Sequence, residues 1–211
     1  MNEQARPEIP AAIREGRAIA ILRGVDPGIT GPIVDALVEG GITAVEVMLN
    51  SKDPFATIEQ LRRRTDGTRL LIGAGTVLDR ESAEASVAAG AAFLVAPNTD
   101  AELIRWAAVH GVPMFPGAMT PSEIVAAWNA GAAGVKVFPA SVLGATFLRE
   151  VRGPLPHIPL IPTGGVNADT CRPLLDAGAV AIGVGSWLTG STDRREVLAR
   201  ARQLRSAIDR P

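Results

Sequence analysis

Ala18-Ile19-Ala20-Ile21-Leu22-Arg23-Gly24-Val25-Asp26-Pro27 decides between two architectures. Its first five residues are continuously apolar, as a strand buried on both faces of a parallel sheet must be. A doubly wound open sheet would follow such a first strand with a glycine-rich turn around a nucleotide phosphate. Here the turn holds a single glycine and an Asp-Pro pair, which is no nucleotide loop. The architecture that remains is a (β/α)8 barrel, and it requires seven more strands of the same kind, each followed by a helix.

The rest of the chain supplies them. Short apolar runs recur at Ala44–Leu49, Arg69–Ile72, Ala92–Ala96, Val112–Phe115, Gly134–Phe138, Pro159–Ile161 and Val180–Val184. Helical spacing fills the intervals at Ile29–Glu39, Ala56–Arg64, Glu81–Ala89, Asp100–Val109, Pro121–Asn129, Gly144–Val151 and Ala168–Asp176. Small-residue turns such as Glu39-Gly40-Gly41 and Ala177-Gly178-Ala179 end the helices, since glycine accepts the left-handed cap conformation. The reading is α/β: a single (β/α)8 TIM barrel over residues 1–211, with an N-terminal extension or helix over 1–17 and a closing helix over 194–208.

Composition narrows the function classes. Of the 211 residues, 47% are hydrophobic and 20% charged, a globular balance. Twenty-one basic against 22 acidic side chains leave no broad positive surface for nucleic acid or anionic membrane. No run approaches the roughly 18 apolar residues of a membrane span. The opening residues lack the apolar stretch of a signal peptide. The single cysteine, Cys171, can form no internal disulfide, which fits a reducing cytoplasm. The two histidines, His110 and His157, cannot make a three-histidine zinc site. No metal or cofactor is expected.

In a barrel the chemistry belongs at the C-terminal ends of the strands. Two charges interrupt apolar strands: Glu46 within Ala44-Val45-Glu46-Val47-Met48, and Lys136 within Gly134-Val135-Lys136-Val137-Phe138. The chain carries 19 arginines and only two lysines, Lys52 and Lys136. A structural reading pairs Lys136 with Glu46 as a buried ion pair, although such pairs stabilise little. A functional reading uses what arginine cannot do: a desolvated lysine gives up its proton and attacks a carbonyl to form a Schiff base. Strand alternation places Phe138 on the face of Lys136, and Glu46 could then move protons through a bound water. Thr163-Gly164-Gly165-Val166 and Gly183-Val184-Gly185-Ser186 fall after the seventh and eighth strands, where many barrels hold a phosphate on backbone amides. Arg23 could bind a carboxylate with help from Thr76, or make a surface salt bridge.

Together these segments resemble the class I aldolases that cleave 2-keto-3-deoxy-6-phosphogluconate or its galactonate epimer. The resemblance runs from about Ala18 to Leu188 and is carried by Ile21-Leu22-Arg23-Gly24, Val45 to Ser51, Gly73-Ala74-Gly75-Thr76-Val77, Lys136 to Ala140, Pro162 to Val166 and Gly183 to Trp187. It implies a Schiff base on Lys136 with pyruvate and Glu46 as general acid/base. It also implies Thr76 and an arginine on the pyruvyl carboxylate, with the glycines Gly164, Gly165 and Gly185 and Ser186 on the phosphate. Leu49-Asn50-Ser51 and Leu22-Arg23-Gly24 resemble the galactonate branch, in which the first-strand arginine serves the carboxylate. Thr163 resembles the gluconate branch. The implied products are pyruvate and glyceraldehyde 3-phosphate, as in the Entner-Doudoroff route. The implied partners are a phosphorylated keto acid and further copies in a homotrimer. Cleavage of 4-hydroxy-2-oxoglutarate is the nearest alternative.

Other readings remain open at this level. A phosphate-binding isomerase or synthase would keep the glycine turns but has no need of Lys136. A metal-dependent aldolase would use carboxylates as ligands, and an assembly subunit could keep the fold without activity. Trp106, Trp128 and Trp187 read as packing or subunit contacts.

Overall fold

The computed structural model describes residues 6–65 and 67–210. Residues 1–5 of the expected N-terminal extension, Asp66 and Pro211 lie outside the described residues. Helix α1 (Ala11–Gly16) ends on Arg17, whose left-handed φ of 55° returns its amide to the Ile13 carbonyl. The chain then alternates: β1 (Ala18–Leu22), α2 (Pro27–Glu39), β2 (Ala44–Met48), α3 (Pro54–Arg64), β3 (Leu71–Gly75), α4 (Arg80–Ala88), β4 (Leu94–Val95), α5 (Ala101–Val109) and β5 (Met114–Phe115). The alternation continues with β6 (Gly117–Ala118), α6 (Pro121–Asn129), β7 (Val135–Val137), α7 (Ala140–Arg152), β8 (Leu160–Pro162), α8 (Cys171–Asp176), β9 (Ile182–Val184), α9 (Ser186–Thr189) and α10 (Arg194–Asp209).

Every strand pairing is parallel. One sheet has the order β5-β4-β3-β2-β1-β9 and the other β6-β7-β8. The division falls at Pro116, which has no amide proton to continue the ladder. Where the sequence suggests one fifth strand, the structure has β5 and β6 on either side of that proline. Pro116 still accepts the Lys136 amide at 2.9 Å, so the chain runs on without a gap between the sheets. At the other edge Thr163 and Gly183 form a single parallel bridge between the ends of β8 and β9.

Strand alternation sorts the core into two clusters. Leu22, Val45, Val47, Ile72, Leu94, Val135 and Val184 face the helices and pack on residues such as Ile33, Leu37, Ile58 and Leu204. The opposite faces contribute Ile19, Phe93, Val95, Phe115 and Ile161, against which Ile9 and Ile13 close one end. Phe93 and Phe115 meet at 5.9 Å with their rings tilted. Burying a large apolar side chain contributes about 1.5–3 kcal/mol, so this inner cluster alone is a substantial stabilising unit.

Several boundaries move from their expected places, among them those of β3 and α7. β3 lies at Leu71–Gly75 rather than 69–72, because β2 pairs with it from Ala44↔Leu71 to Met48↔Gly75. Its two glycines fit there since the Phe93 ring and the Glu46 carboxylate fill the volume their β-carbons would take. α7 is kinked at Gly144, which is non-helical at φ 68°, so the expected helix from Gly144 is its second part and a short first part from Ala140 precedes it. Among the described residues no helix is long and apolar enough to cross a membrane.

Candidate active site

The strand ends after β1, β3, β4, β7, β8 and β9 surround a cavity of about 510 Å³. Lys136 lies in its wall, 7% exposed, held by register with Gly117 on one side and Ile161 on the other. Its neighbours Val135 and Val137 turn to the helices, so Lys136 is the member of β7 turned away from them. The Phe138 ring lines the same cavity, with its centroid 5.3 Å from Lys136 Nζ, within range of a cation–π contact.

Glu46 is 2% exposed and its Oε1 has no hydrogen-bond partner. It makes no ion pair with Lys136 within 4.0 Å, so the purely structural salt bridge does not form. Burial raises the Glu46 carboxyl above its ordinary value, while the positive charges of Lys136 and then Arg23 pull it part of the way back. A carboxyl so placed holds its proton to a higher pH than a solvated glutamate, and its Oε1 is buried without a protein partner.

At the mouth, Arg23 is exposed, lines the cavity and forms no ion pair among the described residues. Its surface-salt-bridge alternative is therefore not realised. The following residue, Gly24, has φ 63° and donates its amide to the Ser51 hydroxyl at 3.1 Å, which joins the loop after β1 to the loop after β2. Thr76 also lines the cavity, at a left-handed φ of 62°. Its hydroxyl donates to Met48 Sδ at 3.7 Å. A thioether is a weak acceptor, so that hydroxyl can turn to a carboxylate oxygen at little cost.

The far end is built from Thr163, Gly164, Gly165, Gly185 and Ser186, all lining the cavity. Gly164 and Gly165 have φ of 99° and 72°, where any other residue would be strained. A β-carbon on Gly165 would also crowd Ser141 at 2.7 Å. Among the described residues the amides of Gly164, Gly165 and Ser186 donate to no protein acceptor. Free amides and a hydroxyl around an opening are suited to an anion.

Glu46 is not itself part of the cavity wall, to which β2 contributes Met48. Asn50 is the other expected site residue that does not join this group. It is exposed and outside the cavity wall, because Ser51 returns its amide to the Met48 carbonyl at 3.0 Å and the chain turns away just past β2. In the other direction, Ile21, Met48, Pro97, Asn167 and Trp187 line the cavity without having been singled out for it. Alternation along β1 and β2 could have supplied Ile21 and Met48, which lie two residues from Ile19 and Glu46. Trp187, expected as a packing contact, belongs to the cavity wall, whereas Trp106 stacks on His110 at 4.6 Å and Trp128 meets His157 at 6.1 Å. Among the described residues no group of three or more His, Cys, Asp or Glu is arranged to hold a metal ion.

Comparison with known proteins bears on this geometry. The family model for KDPG and KHG aldolase matches residues 9–203. A Rhizobium meliloti protein named "Probable 2-dehydro-3-deoxy-6-phosphogalactonate aldolase" is 41% identical over 181 residues, covering 85% of each chain. The 2-dehydro-3-deoxy-phosphogluconate aldolase of Pseudomonas aeruginosa is 35% identical over 211 residues, covering 99% of this chain and 95% of its own. A crystal structure of KDPG aldolase from Legionella pneumophila, with pyruvate captured at low pH as a covalent carbinolamine intermediate, superposes with a TM-score of 0.79 at 26% identity. It covers 93% of this chain and 94% of its own.

Proposed function

The chain belongs to the KDPG and KHG aldolase family, and on that premise we propose that it is a class I, Schiff-base aldolase with Lys136 as nucleophile and Glu46 as acid–base group. Its substrate is a 6-phosphorylated 2-keto-3-deoxy sugar acid, the gluconate or the galactonate epimer, since relatives bearing both names match across most of the chain. The observation that carries this reading is the buried Lys136 in the wall of a cavity whose opposite end presents unused amides at Gly164, Gly165 and Ser186.

Lys136 Nζ attacks the C2 ketone, and loss of water from the carbinolamine gives an iminium. Glu46, directly or through a water, takes the C4 hydroxyl proton. The C3–C4 bond then breaks, its electron pair passes to the iminium, and glyceraldehyde 3-phosphate leaves. The remaining enamine takes a proton at C3, and water hydrolyses the iminium to release pyruvate and restore the amine. Arg23 and Thr76 hold the pyruvyl carboxylate, Phe138 and Thr163 flank the carbon chain, and the glycine amides with the Ser186 hydroxyl hold the phosphate. Asn50 is left to solvent. No metal or cofactor takes part.

We further read the two sheets as one closed (β/α)8 barrel and the chain as a single domain, supported by the continuous chain through Pro116 and the Thr163–Gly183 bridge. The free, buried Cys171 supports placement in the cytoplasm. We also read the protein as a homotrimer, as the family resemblance implies, which light scattering would test.

The decisive experiment is borohydride reduction in the presence of pyruvate, followed by peptide mass mapping. The expected result is one reduced three-carbon adduct on Lys136, and its absence overturns the mechanism. Cleavage of the gluconate and galactonate phosphates side by side then fixes the epimer, with 4-hydroxy-2-oxoglutarate as the unphosphorylated comparison.

A further inference from the structure

Helix α9 carries Ser186 and Trp187 into the cavity wall, yet it is only four residues long. One turn of helix does not hold its own shape, because so short a segment gains too few hydrogen bonds to offset the ordering of its backbone. Its position must come from outside. At its C-terminal end the Thr189 hydroxyl donates to the Ile21 carbonyl at 2.6 Å, which ties α9 to β1. On its other side Arg200 of α10 donates from Nη1 to the Trp187 carbonyl at 2.8 Å.

That guanidinium is itself fixed. Arg200 pairs with Glu196 one turn earlier on α10. The second oxygen of Glu196 accepts the Ser191 hydroxyl at 2.6 Å, in the loop that links α9 to α10. Ser191, Glu196 and Arg200 therefore form a brace whose one contact with α9 is a backbone carbonyl next to Ser186. Arg200 does not line the cavity. Among the described residues no hydrogen bond or ion pair joins the brace to β2 or β7, which carry Glu46 and Lys136.

We propose that Arg200 is a positioning residue for the phosphoryl group of the substrate, acting through the Trp187 carbonyl to hold the Ser186 amide and hydroxyl where they meet the phosphate oxygens. The inference rests on the aldolase reading above. It separates two ends of one cavity: loosening α9 weakens the grip on phosphate and leaves the amine chemistry untouched. A brace that merely stabilised the fold would make no such distinction.

The test compares wild type, Arg200→Ala, Arg200→Lys and Glu196→Gln on a 6-phosphorylated 2-keto-3-deoxy sugar acid and on the same acid without its phosphate. Deuterium exchange at the methyl group of pyruvate, which needs the amine and the acid–base group but no phosphate, is measured alongside. Losing a hydrogen bond from a charged donor predicts a KM for the phosphorylated substrate about tenfold higher in Arg200→Ala. The expectation is unchanged kcat, unchanged exchange, partial recovery in Arg200→Lys and an intermediate KM in Glu196→Gln. Equal losses on both substrates, or no change on either, overturn the proposal. Should Arg200→Ala fail to fold, Glu196→Gln and Arg200→Lys decide by the same split. A wild type that shows no preference for the phosphorylated acid overturns the aldolase reading along with the proposal, whereas a preference that survives Arg200→Ala overturns the proposal alone.

Discussion

Glu46 Oε1 occupies the volume that a β-carbon on Gly75 would need. The two residues lie on neighbouring strands, β2 and β3, and the glycine is what leaves room for the carboxyl between them. Gly75→Ala must push the carboxyl aside or distort β3. A loss of about 1–3 kcal/mol in stability is expected from the overpacking, with a larger fractional loss of activity. Urea unfolding and steady-state cleavage on the same preparation check this. A fully active Gly75→Ala would show that the carboxyl need not be where it lies.

Lys136→Arg keeps the charge and nearly the length but removes the nucleophilic amine. Cleavage is expected to fall by more than about 10³-fold, with no adduct after borohydride and pyruvate. Wild-type activity should be indifferent to a chelator, because the iminium is the electron sink.

Glu46→Gln removes the proton carrier, and a fall in kcat of about 10²–10⁴-fold is expected. Stability behaves separately. Burial raises the Glu46 carboxyl in the folded protein above its ordinary 4.5, so the folded state holds this proton more tightly than the unfolded chain does. That contribution is complete below pH 4.5 and is lost as pH rises through the elevated folded value. Wild type should therefore lose stability relative to Glu46→Gln as pH climbs from acid towards neutrality. Melting temperatures of the pair across that range test the sign. A gap that widens in favour of wild type would contradict it.

Thr76 is a β-branched residue in a left-handed backbone conformation, a position that suits glycine. The strain accompanies a hydroxyl in the cavity wall, as strained residues at sites often do. Thr76→Gly should be more stable than Thr76→Ala by about 1 kcal/mol, since only the former relieves the backbone. Both should raise KM for the keto acid through loss of the hydroxyl. Equal stabilities would remove the argument from strain.

How much of this could be read from sequence depends on how local the cause is. Lys136 and Glu46 stood out because a charge inside an apolar strand is costly and so needs a reason. The glycines at 164, 165 and 185 stood out because their turns follow the last strands. Asn50, brought in by the resemblance, lies outside the cavity wall because of a turn just beyond β2, set by the Ser51 amide reaching back to Met48. The displaced β3 was not legible, because an apolar run does not fix register and the pairing with β2 does. The Arg200 brace is local, 13 residues from Arg200 to Trp187, but it ends on a backbone carbonyl, which leaves no side-chain pattern to detect. The start of α8 at Cys171 rather than Ala168 has a local cause: Asn167 Oδ1 accepts the amides of Asp169 and Thr170 and holds those residues in a turn.

The break at Pro116 gives the site a mechanical character. The nucleophile is carried by one ladder of strands and the proton carrier by another, so their separation is set across two seams. At one seam the Ala133 and Lys136 amides reach the Met114 and Pro116 carbonyls, and at the other the Val180 amide reaches the Leu160 carbonyl beside the Thr163–Gly183 bridge. Both seams are thus tied through the backbone, and the gap between Lys136 and Glu46 rests on the geometry of each.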